Sequence, residues 1–287
     1  MIRRAASGEE VPFHDLAAGR AVLAEGPEAP EVEIAPPPYR GKRLLPVLSW
    51  LVTNRLPGTG ARATWRVERR LGPDFVRRVL EPFGWQLSAE RSGRWLLLHG
   101  AVPPAHELPP PRSFTAPSGL VFEADYGVFS PDRIDAGSEL LLELANRTAV
   151  ETVADVGTGY GALAISLLAA GRARRAVATE VDSIALWLAE RNARAADVGL
   201  RVTLDRDPLA VERTDLTVCN VPTHLDARQT AALMAGLAER ASDGRLLAVV
   251  HAALEARYAR HLELPGLRVE RHAGAEHVVL DASGGAT

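Results

Sequence analysis

Residues 154–161 read Ala-Asp-Val-Gly-Thr-Gly-Tyr-Gly, and their reading decides the fold. The run Thr152-Val153-Ala154 leads into Asp155, glycines follow at 157, 159 and 161, and helix formers then fill 162–170 (Ala-Leu-Ala-Ile-Ser-Leu-Leu-Ala-Ala). That is a strand, a tight turn and a helix. Glycine admits positive φ and leaves no side chain between backbone and ligand. The turn therefore predicts a small-molecule cradle at the carboxyl end of a strand, where open α/β sheets bind their ligands.

A dinucleotide loop would read G-x-G-x-x-G. Here the spacing is G-x-G-x-G, and Asp155 stands two residues before the first glycine. A second strand, Ala176–Thr179, ends in Glu180, placed to accept hydrogen bonds from a ribose diol. A later strand, Thr217-Val218-Cys219, runs into Asn220-Val221-Pro222-Thr223. Each part alone has a plainer reading: a βα turn, a solvated strand end. Together, in this order, they fit S-adenosyl-L-methionine better than a nicotinamide dinucleotide. Expected cofactor contacts are Asp155, Gly157, Thr158, Gly159, Gly161 and Glu180, with Asp155 toward the methionine end, directly or through water.

The segment Tyr126-Gly-Val-Phe-Ser-Pro-Asp-Arg-Ile-Asp-Ala-Gly-Ser-Glu-Leu-Leu-Leu142 resembles the entry motif of the methyltransferase small group, and within it the ribosomal-RNA guanine-N2 methyltransferases. The similarity continues through Asp155–Gly161, Glu180 and Asp215 to Asn220-Val-Pro-Thr-His224, and ends in the closing strands at His277-Val-Val-Leu280. It covers roughly the last three-fifths of the chain and is weak before about residue 112. The resemblance implies an α/β class I methyltransferase fold: a Rossmann-like, seven-stranded, mostly parallel sheet closed by an antiparallel hairpin.

It also implies roles. In the family an Asn side-chain oxygen and the next backbone carbonyl, in an Asn-Pro-Pro-aromatic turn, accept the N–H groups of the acceptor amine. Here Asn220 and Val221 take those places, and Pro222 keeps Val221 extended because a residue before proline is pushed out of the α region. Val221 replaces the first proline, and Thr223 replaces the aromatic ring that stacks on the acceptor. Either another ring serves, Phe129 or Tyr160, or the acceptor is not a planar base. His224 touches substrate, accepts a proton, or is a solvent-facing loop residue. By family position Asp205 faces the adenine amino group and Asn220 also borders the cofactor; Asp207 competes with Asp205.

Bulk properties bound the rest. The chain has 287 residues, 47% hydrophobic and 24% charged, as an ordinary globule does. Cys219 is the single cysteine, so no intrachain disulfide or cysteine-metal cluster can form, and a reducing, cytoplasmic setting is expected. Arg3-Arg4 is followed by Ser7-Gly-Glu-Glu10 where a signal peptide would be apolar, and no stretch is long enough to span a membrane. No metal is expected. The net charge of −3 gives no global attraction to phosphate. Lys42 is the only lysine, which reads as the coding bias of a GC-rich genome.

Along the chain, residues 1–41 are rich in Ala, Glu, Gly and Pro and read as a tail and linker, with one short helix over Phe13–Leu23. Residues 42–112 read as a small α+β domain, a candidate substrate-recognition unit. Helices are expected at Leu44–Val52 and Asp74–Leu80, and a hairpin between Trp85–Ala89 and Arg94–His99. Its arginines, Arg62, Arg66, Arg69, Arg70, Arg77 and Arg78, suit either a nucleic-acid platform or a solvated helix face. The second is favoured. Residues 113–287 alternate strand with helix, the doubly wound pattern.

Three readings of function follow. The leading one is an S-adenosylmethionine-dependent N-methyltransferase acting on an exocyclic amine of RNA, guanine in ribosomal RNA. The alternative keeps the chemistry and makes the acceptor a small-molecule amine or amide. The third is a SAM-binding subunit without catalysis, against which Asn220 and Pro222 argue. Oligomeric state is not legible.

Overall fold

The computed structural model describes residues 2–4, 10–11, 31–36, 43–56, 60–69, 72–205, 207–223 and 225–284. The chain divides into two compact units: Met1–Arg112 with Asp125–Val128, and Ser113–Ala124 with Phe129–Thr287.

Among the described residues the first unit is a six-stranded sheet with two α-helices. Its elements are β1 (Ile2–Arg4), β2 (Glu10–Val11), β3 (Glu31–Ile34), α1 (Leu44–Arg55), β4 (Arg62–Glu68), α2 (Pro73–Leu80), β5 (Ser88–Ser92) and β6 (Trp95–Ala101). The strand order is β2-β1-β3-β4-β6-β5, with β3 and β4 parallel and the other pairs antiparallel. The described part of residues 1–41, expected as a tail and linker, supplies three strands. The signal was present at Glu31-Val-Glu-Ile34, where Val32 and Ile34 are buried and the glutamates face the other way, but four residues of period two are easily lost in a Pro- and Ala-rich stretch. The helix expected over Phe13–Leu23 lies outside the described residues.

Arg62 and Arg66 are not on a helix face either. They alternate with Ala63, Trp65 and Val67, which are buried, so the segment is strand β4. Arg66 donates to Glu33 at 2.9 Å and lies 4.6 Å from the centre of the Trp95 ring. Arg70 lies outside the described residues. The hairpin turns at Gly93-Arg94, with Ser92 opposite Trp95, so its first strand begins later than expected.

The second unit opens with a two-stranded ribbon, β7 (Ser113–Thr115) and β8 (Val121–Glu123). There follow α3 (Ala136–Ala145), β9 (Val150–Val156), α4 (Ala162–Ala169), β10 (Ala173–Glu180), α5 (Ser183–Ala195), β11 (Leu200–Leu204), β12 (Leu216–Asn220), α6 (Ala227–Asp243), β13 (Arg245–His251), α7 (Glu255–Ala259), β14 (Leu267–Ala273) and β15 (His277–Gly284). The sheet runs β11-β10-β9-β12-β13-β15-β14; the first five are parallel, and β15 is antiparallel to both its neighbours. The chain winds outward from β9 to β11, then returns to build the other half from β12. That reversal opens a crevice at the carboxyl ends of β9 and β12.

Packing fixes the frame. Leu246 to Val250 of β13 are all buried, as a central strand covered on both faces must be. Leu233, Met234, Leu237, Ala238 and Ala241 of α6 pack with Leu246, Ala248, Leu280 and Ala282. Asp226 and Gln229 close a capping box at the start of α6, Asp182 caps α5, and Asp135 caps α3. Among the described residues no helix is long and apolar enough to cross a membrane.

Candidate active site

Strand β9 delivers the glycine turn to the crevice. Gly157, Gly159 and Gly161 have φ of +72°, +61° and +93°. A Cβ on Gly157 or Gly159 would meet nothing within 4 Å, whereas one on Gly161 would fall 2.5 Å from Ile165 Cδ1 and 3.5 Å from Ala189 Cα. The first two glycines thus leave open space above the turn, and the third lets α4 pack close to α5. The N–H groups of Gly157 and Thr158 both donate to the Thr179 carbonyl at 3.0 Å, tying the turn to β10.

Two carboxylates flank the turn. Asp155 is 1% exposed; its Oδ2 accepts from Thr158 Oγ1 at 2.7 Å and from the Ala164 N–H at 3.1 Å, while its buried Oδ1 has no hydrogen-bond partner among the described residues. Burial pushes this carboxyl up to about 6; the two hydrogen bonds oppose the rise, and the charge of Glu180 adds to it. Glu180, at the end of β10, accepts the Gly159 N–H at 2.7 Å on one oxygen and the Asp182 N–H at 2.9 Å on the other. It braces the turn from the carboxyl end of β10.

Asp205 follows β11 on the same edge, its N–H donating to the Glu180 carbonyl at 3.3 Å. Its Oδ1 accepts the Asp207 N–H at 2.9 Å, and Asp207 in turn accepts the Leu209 N–H at 2.9 Å. Both acids cap their own loop.

Across the crevice, Asn220 ends β12 half-buried. Its Nδ2 lies 3.0 Å from Ser138 Oγ and 3.3 and 3.2 Å from the two oxygens of Asp135. Val221 is buried and donates its N–H to the Val249 carbonyl at 3.0 Å; Pro222 is half-buried and Thr223 exposed. His224 lies outside the described residues. The two candidate rings part company. Phe129 is 71% exposed. Tyr160 is 5% exposed, its ring edge-on to Phe114 and Phe122 at 6.0 and 5.8 Å and its hydroxyl donating to the Arg133 carbonyl, so it is a core residue and not a stacking surface.

Three contributors escaped sequence reasoning. Asp135 reads locally as a helix cap, and nothing local announces its contact with Asn220, 85 residues on. Ser138 is in the same position. Asn192 stands on the buried stripe of α5, a readable signal; its side chain clasps the Glu123 N–H and carbonyl and the Tyr160 carbonyl at 2.7–2.9 Å. Asp215, part of the motif run, sits at the opposite end of β12, accepting from the Thr152 N–H and hydroxyl, and takes no part in the crevice. A depression of about 600 Å³ between Arg175, Arg194 and Arg201 contains none of these residues.

Known proteins resemble this chain in sequence and fold. Residues 119–269 match the family model described as methyltransferase small domain. The chain is 38% identical over 99 residues to the release factor glutamine methyltransferase of Cereibacter sphaeroides, covering 33% of this chain and 35% of that protein. It is 27% identical over 179 residues to the ribosomal RNA small subunit methyltransferase C of Hahella chejuensis, covering 59% of this chain and 52% of that one. The chain thus spans about a third to a half of the length of these relatives. The solved structure of the T. thermophilus 16S rRNA N2 methyltransferase RsmC, in complex with AdoMet and guanosine, shares the fold with a TM-score of 0.73 at 24% identity, over 88% of this chain and 72% of that one. With more than half its length matched, the chain belongs to the methyltransferase small domain family.

Proposed function

We propose that the chain transfers a methyl group from S-adenosylmethionine to the exocyclic amine of a guanine in ribosomal RNA. The observation that carries this reading is the meeting, at one switch point, of a glycine turn over an unpartnered buried carboxylate oxygen with an Asn-Val-Pro turn. The residues fit the cofactor. Asp155 Oδ1 is an acceptor without a donor, suited to the cationic methionine end. The space above Gly157 and Gly159 admits a ligand against bare backbone. Glu180 and Asp205 offer acceptors for a sugar diol and an adenine amine.

When bound, the sulfonium supplies an electrophilic methyl group. The protein must orient the nucleophile and strip its water. The Asn220 carbonyl oxygen and the Val221 carbonyl accept the two N–H groups of the acceptor amine. Its lone pair then turns toward the methyl, and the charge that develops on nitrogen is stabilised. Phe129, exposed within the entry motif, supplies the ring that Thr223 does not. The guanosine bound by the RsmC relative, whose match extends over both units of this chain, favours RNA over a small-molecule amine. A cytoplasmic setting belongs to the same proposal.

The test is labelled S-adenosylmethionine offered with an unmodified small-subunit rRNA transcript and, separately, with a small-molecule extract. Label recovered as N2-methylguanosine is the expected outcome. Asn220→Ala should lower turnover by about 100-fold or more while cofactor affinity holds within about threefold. Label found only in the extract would move the acceptor to a small molecule; none in either would end the proposal.

A further inference from the structure

An asparagine amide has two faces of opposite polarity, and only one of them orients an amine. The contacts around Asn220 decide which. A carboxylate is an acceptor only, so the group that Asn220 turns toward Asp135 is its NH2. Ser138 Oγ takes up the same NH2 at 3.0 Å. With the nitrogen engaged on this side, the carbonyl oxygen of the planar amide points away from α3.

Asp135 is itself pinned. Its Oδ1 accepts the N–H groups of Gly137 and Ser138 at 3.1 and 3.2 Å at the first turn of α3. A side chain at 137 would crowd that grip: a Cβ there would stand 3.1 Å from Asp135 Oδ1 and 2.9 Å from His277 Cδ2. The small residue, the capped helix end and the serine all serve one geometry.

We propose that Asp135 and Ser138 are positioning residues that lock the Asn220 amide, NH2 toward α3 and oxygen toward the acceptor. The locked polarity selects an acceptor nitrogen that carries N–H over a bare ring nitrogen. This rests on the methyltransferase reading above, and extends it from which residue meets the substrate to what sets its specificity.

Exchanging the two side-chain types tests it. Asp135→Asn keeps a good helix cap but sets two amides against each other, so Asn220 turns over and presents NH2. Turnover on the rRNA transcript should fall about 100-fold at saturating RNA, with cofactor affinity unchanged. Asn220→Asp sets two carboxylates against each other and should lower the unfolding midpoint by several degrees at neutral pH. In the double variant the amide now at position 135 donates to the carboxylate now at position 220, whose second oxygen still faces the acceptor. The midpoint should recover most of its loss, and turnover should return to within about tenfold of wild type. Undiminished turnover in Asp135→Asn, or midpoint losses that merely add in the double variant, would overturn the proposal. If wild type modifies no RNA, it is the functional reading that fails, and the midpoint cycle still decides the amide's orientation.

Discussion

Gly159 and Gly161 share a left-handed backbone but not a neighbourhood, and alanine separates their duties. At Gly159 the added methyl meets open space, so Gly159→Ala costs only the left-handed strain, about 1–2 kcal/mol, and its larger effect falls on cofactor affinity. At Gly161 the methyl meets Ile165, so Gly161→Ala adds a packing cost and lowers stability further. Urea unfolding beside calorimetric titration with S-adenosylmethionine checks both; equal stability losses would mean the turn is packed from both sides. Asp155 carries a pH signature. Its folded pKa, about 6, lies above the unfolded value of 3.8, so its contribution is fully present below 3.8 and is lost as pH rises through 6. The loss amounts to about 3 kcal/mol. Asp155→Asn should therefore gain stability relative to ligand-free wild type between pH 4 and 6.5, and cofactor affinity should strengthen with pH over that window in wild type alone. A wild-type-to-variant difference that does not change with pH would refute the buried carboxylate. At this scale the placement of Asp155, Glu180 and Asn220 was legible: they are polar residues near the ends of apolar strands, and strand ends meet at a switch point. Tyr160 was not, because the side a ring takes depends on Phe114 and Phe122, which sequence spacing does not place beside it.

Elements were legible where their period was long and their caps explicit. Strands β9, β10, β12 and β13 are apolar runs and α5 and α6 are capped by aspartate; β1 to β3 are too short to assert a period, and β4 was obscured because its outward residues are arginines. The clasp of Asn192 shows how a helix and a ribbon are joined by polar contacts on an otherwise apolar stripe. Asn192→Ala strands three backbone groups, the Glu123 N–H and carbonyl and the Tyr160 carbonyl, and should cost about 2–4 kcal/mol in denaturant unfolding. The exposed i,i+4 pair Arg194–Glu190, which brackets Asn192 on the same helix, provides the control: Arg194→Ala should change stability by no more than about 0.5 kcal/mol. If the two substitutions cost the same, the clasp is not what fastens β8 to α5.

For the whole molecule, Pro109-Pro-Pro111 stands just before the division near residue 112, while no local pattern marks the return of Asp125–Val128 to the first unit. That return rests on Asp125, wholly buried against Arg43 from 82 positions earlier and against the Arg112 N–H, a pairing no local pattern encodes. Charge is the other global property. A net charge of −3 attracts no phosphate backbone as a whole, so RNA capture must draw on local arginine, and in the first unit Arg62, Arg91 and Arg94 are exposed. Each phosphate contact steepens the fall of affinity with salt, by a log–log slope of about −0.7 to −0.9. If RNA is the acceptor and a few such contacts form, kcat/KM on the rRNA transcript should fall at least about tenfold between 50 and 200 mM salt. The Kd for S-adenosylmethionine, held in the crevice of the second unit, should stay nearly constant. Replacing the three arginines with glutamine should flatten the salt slope by up to about 2 while leaving cofactor affinity alone. A slope near zero in wild type would mean that no phosphate backbone is being gripped, and the acceptor would then be a small neutral amine instead of RNA.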